Sequence, residues 1–100
     1  MVDTKIIQGF ADWCYDHFPP EKRTERCAEE CAELIQICLK MGRTDYDQAK
    51  LNQCRDKLVE EMSHVLFTME NVRRHFNITP EELDEKVKEK YAKYGVELPE

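Results

Sequence analysis

At 100 residues the chain has room for one domain, spanning 1–100, with a single modest core, and not for two. A net charge of -6 with 36% charged residues argues against nucleic acid as a partner, because a nonspecific polyanion binder needs an exposed excess of basic groups. No run approaches the roughly 18 apolar residues of a membrane span, and the start lacks the basic and apolar regions of a signal peptide, so a soluble cytoplasmic protein with no membrane partner is expected.

Residues 3 to 17 carry Ile6, Ile7, Phe10, Trp13 and Cys14 at helical spacing, with Phe18 following, and Pro19-Pro20 ends that first helix. Pro20 suits the first position of a second helix running to about Met41, where Gly42 supplies a stop. Arg43-Thr44-Asp45 then makes a short polar turn with capping residues, and a third helical pattern extends from Tyr46 to Phe76, long enough to contain a break near Asn52. Beyond Asn77, Thr79-Pro80-Glu81-Glu82 combines an N-cap, a proline at the first helical position and a glutamate three residues after the cap, which together open a fourth helix ending at Tyr94-Gly95. Nothing alternates like a strand, so the fold class is all-α.

The second and third helices carry related text. Glu29 to Met41 (EECAELIQICLKM) lies over Glu60 to Val72 (EEMSHVLFTMENV), with Glu29/Glu60, Glu30/Glu61, Leu34/Val65 and Ile35/Leu66 in register. On a wheel with Glu30 or Glu61 at zero, the apolar residues fill an arc from about 20° to 140° in both helices. Cys27, Cys31, Leu34, Ile35, Cys38 and Met41 make the first arc. Leu58, Met62, Val65, Leu66, Met69 and Val72 make the second. Glu30 and Glu61 stand at the arc edges, and Glu33 and His64 extend the same polar flank one turn on. A short turn makes the two helices antiparallel neighbours, so three carboxylates and an imidazole are expected to converge. Acids gathered at a core boundary repel one another and lose hydration, and a divalent cation held by facing helices resolves the conflict. Otherwise these glutamates are solvated helix faces.

These residues resemble the MazG-like, all-α nucleoside triphosphate pyrophosphohydrolases, whose mark is E-E-x-x-E on one helix and E-E-x-x-D on the next. Here the match is Glu29-Glu30-x-x-Glu33, then Glu60-Glu61-x-x-His64, followed by an apolar stretch and a late lysine. The resemblance implies a four-helix bundle with antiparallel central helices, completed as a homodimer or homotetramer. It also implies an enzyme that cleaves a nucleoside triphosphate between the α- and β-phosphates, releasing a monophosphate and pyrophosphate. Glu30, Glu33 and Glu61 match metal ligands, and Glu29 and Glu60 match the acids that support them. Lys57 and Lys90 match basic groups of the site, with Mg²⁺ as the implied ion and Mn²⁺ as a second choice. Two positions depart from the pattern: His64 replaces the expected Asp, and Tyr94 an Arg. Imidazole is a poor exchange for carboxylate on Mg²⁺, and Tyr offers phosphate one neutral donor in place of a charged fork. A second reading is therefore a catalytically weakened module that binds nucleotide or assembles.

Other candidates are secondary. Asn71 continues the stripe of Glu61, His64 and Thr68, and either reaches substrate or is surface polarity. His64 is either a metal ligand or a structural histidine bonded to Glu61 or Glu33. Which carboxylate acts as general base is open, Glu33 being one choice. Phe10 and Trp13 read as core, with base stacking as the other use. The five cysteines, with no CxxC pair, read as reduced and mostly buried, zinc on Cys27, Cys31 and His64 being the remote option. His17 and His75 read as unpartnered surface residues.

Overall fold

The computed structural model describes residues 4–100, within which every regular element is helical. Helix α1 is Lys5–His17, α2 is Arg23–Gly42, α3 is Gln48–His75 and α4 is Pro80–Tyr94. The expected start at residue 3 lies outside the described residues. Helix α1 begins where the Thr4 hydroxyl accepts the Ile7 N–H at 3.2 Å. Phe18, ahead of Pro19, is forced into extended geometry and ends the helix. Pro20 opens a 3₁₀ turn, Pro20–Lys22, so α2 starts three residues later than the proline suggests.

Gly42 does not act as a left-handed stop. It is the last residue of α2, and the reversal falls on Asp45 and Tyr46, whose φ angles are 53° and 58°. Capping by Asp47, which accepts the Lys50 N–H at 3.2 Å, then starts α3 at Gln48 rather than Tyr46. No break occurs at Asn52, whose side chain accepts from Gln48 at 2.8 Å along an unbroken helix. Asn77 takes the left-handed position (φ 55°) that ends α3, with Ile78 N–H on the Arg73 carbonyl at 2.9 Å. The expected capping box is present, Glu82 N–H to Thr79 at 3.2 Å and Thr79 N–H to Glu82 at 2.6 Å, a motif whose cap contributes about 1 kcal/mol.

Partners across α2 and α3 run in opposite directions. Cys27 meets Thr68, Glu30 meets His64 and Glu33 meets Glu61, so the central helices are antiparallel. Helix α1 packs against α3: Ala11 and Cys14 are buried, small enough to let the helices approach, and Phe10 meets Phe67 edge-on with ring centroids 4.8 Å apart. Arg74 fastens the other end, paired with Asp12 and donating to Gln8 at 2.9 Å.

The seam differs from expectation in phase. The buried stripe of α3 is Cys54, Glu61, Val65, Thr68 and Asn71, so Glu61 sits inside the seam rather than at its edge. The outer half of each apolar arc stays open, with Ile35 58% and Met62 49% exposed and Cys38 exposed as well. Two helices cover only the facing half of two wide arcs, and α1 packs beside them, Cys14 and Phe18 lining one small cavity with Arg23 and Arg26 of α2 and Thr68 and Asn71 of α3. Helix α4 makes only slight contact with the other helices and has no buried residue. Near Leu83 it lines a cavity of about 180 Å³ with Cys27, Met69, Val72 and Ile78. The radius of gyration, 16.2 Å, accordingly exceeds the roughly 13 Å of a compact 100-residue chain.

Candidate metal centre

The antiparallel seam brings Glu30 and Glu33 of α2 against Glu61 and His64 of α3. One ligand atom from each lies within 4.8 Å of all the others, the only such group of three or more acidic, histidine or cysteine side chains found among the described residues. The pairing follows from the i, i+3 spacing on both helices, which puts both members of each pair on one flank. His64 Nδ1 lies 3.1 Å from Glu30 Oε2 and 3.9 Å from Glu61 Oε2. The imidazole thus bonds Glu30, neither of the partners anticipated for a structural histidine. Its ring also meets the Phe67 ring edge-on, with centroids 5.8 Å apart.

Glu61 is the centre of the cluster and 1% exposed. Neither of its oxygens has a hydrogen bond of good geometry within the chain. Among the described residues the one full cation paired with it is the Lys57 ammonium, 2.9 Å from Oε1 and shared with exposed Glu60 at 3.2 Å. A buried carboxylate so poorly satisfied is costly unless a cation completes it. The charges report the same crowding. Glu33 is held above the ordinary carboxyl value by its contact with Glu61, while Lys57 holds Glu61 below it. Lys57 is itself pushed up to about 12 by Glu61 and Glu60.

The donor set fits a divalent ion. Opposite ligands on an octahedral ion with bonds of about 2.1 Å stand about 4.2 Å apart, so atoms spread over 4.8 Å need only a small contraction. Three carboxylates and one imidazole suit Mn²⁺ at least as well as Mg²⁺.

Of the remaining expected site residues, Lys57 and Glu60 adjoin the cluster and Glu29 is exposed one residue before Glu30. Lys90 is exposed on α4, and among the described residues the lysine paired with the acids of the cluster is Lys57, not Lys90. Asn71 is buried, not surface polarity; it lines a cavity of about 10 Å³ with Cys14, Phe18, Arg23 and Arg26, and its Oδ1 is unpaired. Cys27 and Cys31 do not group with His64 among the described residues, and burial pushes the Cys27 thiol up, away from the thiolate that zinc requires. All five cysteines are free, Cys38 exposed.

The aromatic residues of α1 are less buried than expected, Phe10 and Trp13 each 47% exposed. Trp13 lies between His17 and Phe10, near-parallel to both at 4.2 and 5.9 Å. His17 and His75 do have partners: His17 Nδ1 lies 2.7 Å from the Trp13 carbonyl, and His75 Nδ1 3.1 Å from Arg23. No helix is long and apolar enough to cross a membrane among the described residues. Comparison of the chain with protein-family models, curated proteins and solved structures finds no match.

Proposed function

We propose that this chain is a MazG-like, divalent-cation-dependent nucleoside triphosphate pyrophosphohydrolase, cutting between the α- and β-phosphates and acting on cytoplasmic nucleotide. The observation that carries the reading is the Glu61 carboxylate, buried among Glu30, Glu33 and His64 with the Lys57 ammonium as its one full cationic partner among the described residues. Mg²⁺ or Mn²⁺ bound by these four side chains would neutralise phosphate oxygens and acidify water.

The chain's own groups supply the rest. Glu33, the most open acid of the cluster, is positioned to take the proton of a water attacking the α-phosphorus as the bond to the leaving pyrophosphate breaks. Lys57 presents its ammonium beside the cluster to the charge that grows on the leaving phosphates. Glu60 steadies that ammonium at 3.2 Å, and Glu29 adds negative potential beside Glu30.

Assembly belongs to the same reading. The open arc of Ile35, Leu39, Val59, Met62 and Met69, together with Leu83 and Val87 on α4, presents apolar surface that a second copy would cover, completing the bundle as a homodimer or homotetramer. Lys90 joins a site in this scheme only when assembly brings α4 to it, and Asn71 reaches substrate only if its small cavity opens. His64 favours a second reading, a nucleotide-binding module of low turnover, because imidazole removes one negative charge from the ion site.

The test is incubation of purified protein with each common NTP and dNTP, with Mg²⁺ and separately with Mn²⁺. Equimolar monophosphate and pyrophosphate, abolished by Glu61→Gln, supports the hydrolase. Binding without turnover on any substrate leaves the module, and release of inorganic phosphate alone contradicts the proposed cut.

A further inference from the structure

A groove of about 310 Å³ runs between the C-terminal half of α2 and the N-terminal half of α3. Lys40 and Lys50 line it with Lys57, Thr44 and Gln53, and no carboxylate does. Such a wall is against the character of a chain carrying a net charge of -6. Elsewhere the lysines at Lys22, Lys86 and Lys88 pair with acids on their own helices. Among the described residues Lys40 and Lys50, like Lys5, Lys90 and Lys93, form no ion pair, so their charge remains available to a ligand. Lys50 and Lys57 are seven residues apart on α3, two turns along one face, and Lys40 reaches the groove from the facing helix.

The groove is continuous with the candidate ion site through one side chain. Lys57 lines it and also stands 2.9 Å from Glu61. A ligand lying along the groove therefore ends at the acid cluster. The two unpaired ammonium groups of Lys40 and Lys50, with hydroxyl and amide groups between them and Lys57, already held by Glu60 and Glu61, at the acid end, suit a linear chain of phosphates, which offers several charged acceptors in a row. A single carboxylate or monophosphate would engage fewer of them.

We infer that this groove binds the phosphate chain of a polyphosphorylated ligand, with Lys40 and Lys50 gripping the phosphates farthest from the acid cluster. This rests on the hydrolase reading only for its orientation: the pyrophosphoryl end lies on the lysines and the α-phosphate lies at the acids. Lys40 and Lys50 then select triphosphates over monophosphates without touching the reacting phosphorus.

The probe is inorganic pyrophosphate, titrated calorimetrically into the full chain without divalent ion, in the wild type and in the Lys40→Gln/Lys50→Gln double variant. Both positions are exposed, and circular dichroism checks that the double variant folds. The expected result is a loss of affinity of at least about tenfold in the double variant. A nucleoside triphosphate should compete for the groove and a monophosphate should not. Equal pyrophosphate affinity in both proteins, or no pyrophosphate binding to the wild type, overturns the inference. Pyrophosphate bound through these lysines by a protein that hydrolyses no triphosphate upholds the groove and removes the hydrolase reading instead.

Discussion

Lys57 and Glu61, one helical turn apart on α3, are joined at 2.9 Å across the boundary between solvent and seam, the lysine 57% exposed and the glutamate 1%. The ammonium therefore occupies, from outside, the electrostatic role that an ion in the cluster would take from within. Lys57→Met is expected to raise divalent-ion affinity roughly tenfold, because a competing positive charge is gone. It should lower triphosphate turnover at the same time. Calorimetry and a pyrophosphate-release assay on the same preparation read both, and an unchanged ion affinity counts against the competition.

Acid should empty the ion site earlier than ordinary glutamates would predict. Glu33 holds its proton above the usual 4.5 because Glu61 is beside it, and ion binding requires that proton to leave. Ion affinity should thus be level near neutrality and fall as pH drops through the raised Glu33 value. Glu33→Gln should move that limb to lower pH. For folding without ion the signs differ. Glu33 favours the folded chain at low pH and loses that advantage as pH rises through its folded value, whereas Glu61, lowered by Lys57, contributes above its unfolded value and loses that contribution as pH falls through its folded one. Lys57 contributes below about 10.5 and loses its contribution as pH rises through about 12.

His64→Asp restores an all-oxygen donor set. It should raise Mg²⁺ affinity about tenfold or more while changing Mn²⁺ affinity less, since Mg²⁺ gains most from trading nitrogen for a charged oxygen. Competitive titration of the two ions reads the ratio directly. An unchanged ratio means that His64 does not face the ion.

Assembly is tested on the open arc. Wild-type protein should scatter light as a multiple of 11.9 kDa, and Ile35→Lys with Met62→Lys should return it to the monomer with its helix content intact. A monomeric wild type removes the assembly reading.

What the sequence made legible was local or periodic. Thr79 and Glu82 specify their capping box within four residues, and the i, i+3 spacing of Glu30/Glu33 and Glu61/His64 points to their convergence from sequence alone. Tertiary choices were not legible. Periodicity gives the direction of an apolar arc and not which half a neighbour covers, so it points to Met62 and Ile35 for a seam that instead encloses Glu61 and Thr68. Gly42 matched the usual stop residue, yet the reversal formed at Asp45 and Tyr46, where Asp47 caps the next helix. The groove of Lys40 and Lys50 needs two helices and is not legible from one, although the seven-residue step from Lys50 to Lys57 places those two on one face.

The most direct test of the account is a calorimetric titration of Mn²⁺ into the wild-type chain and into Glu61→Gln. The account predicts one saturable site per chain in the wild type and a loss of affinity of at least about a hundredfold in the variant, because the most buried ligand is gone. Wild-type protein that binds no divalent ion, or a variant that binds it as tightly, would contradict the claim that Glu30, Glu33, Glu61 and His64 form a metal centre.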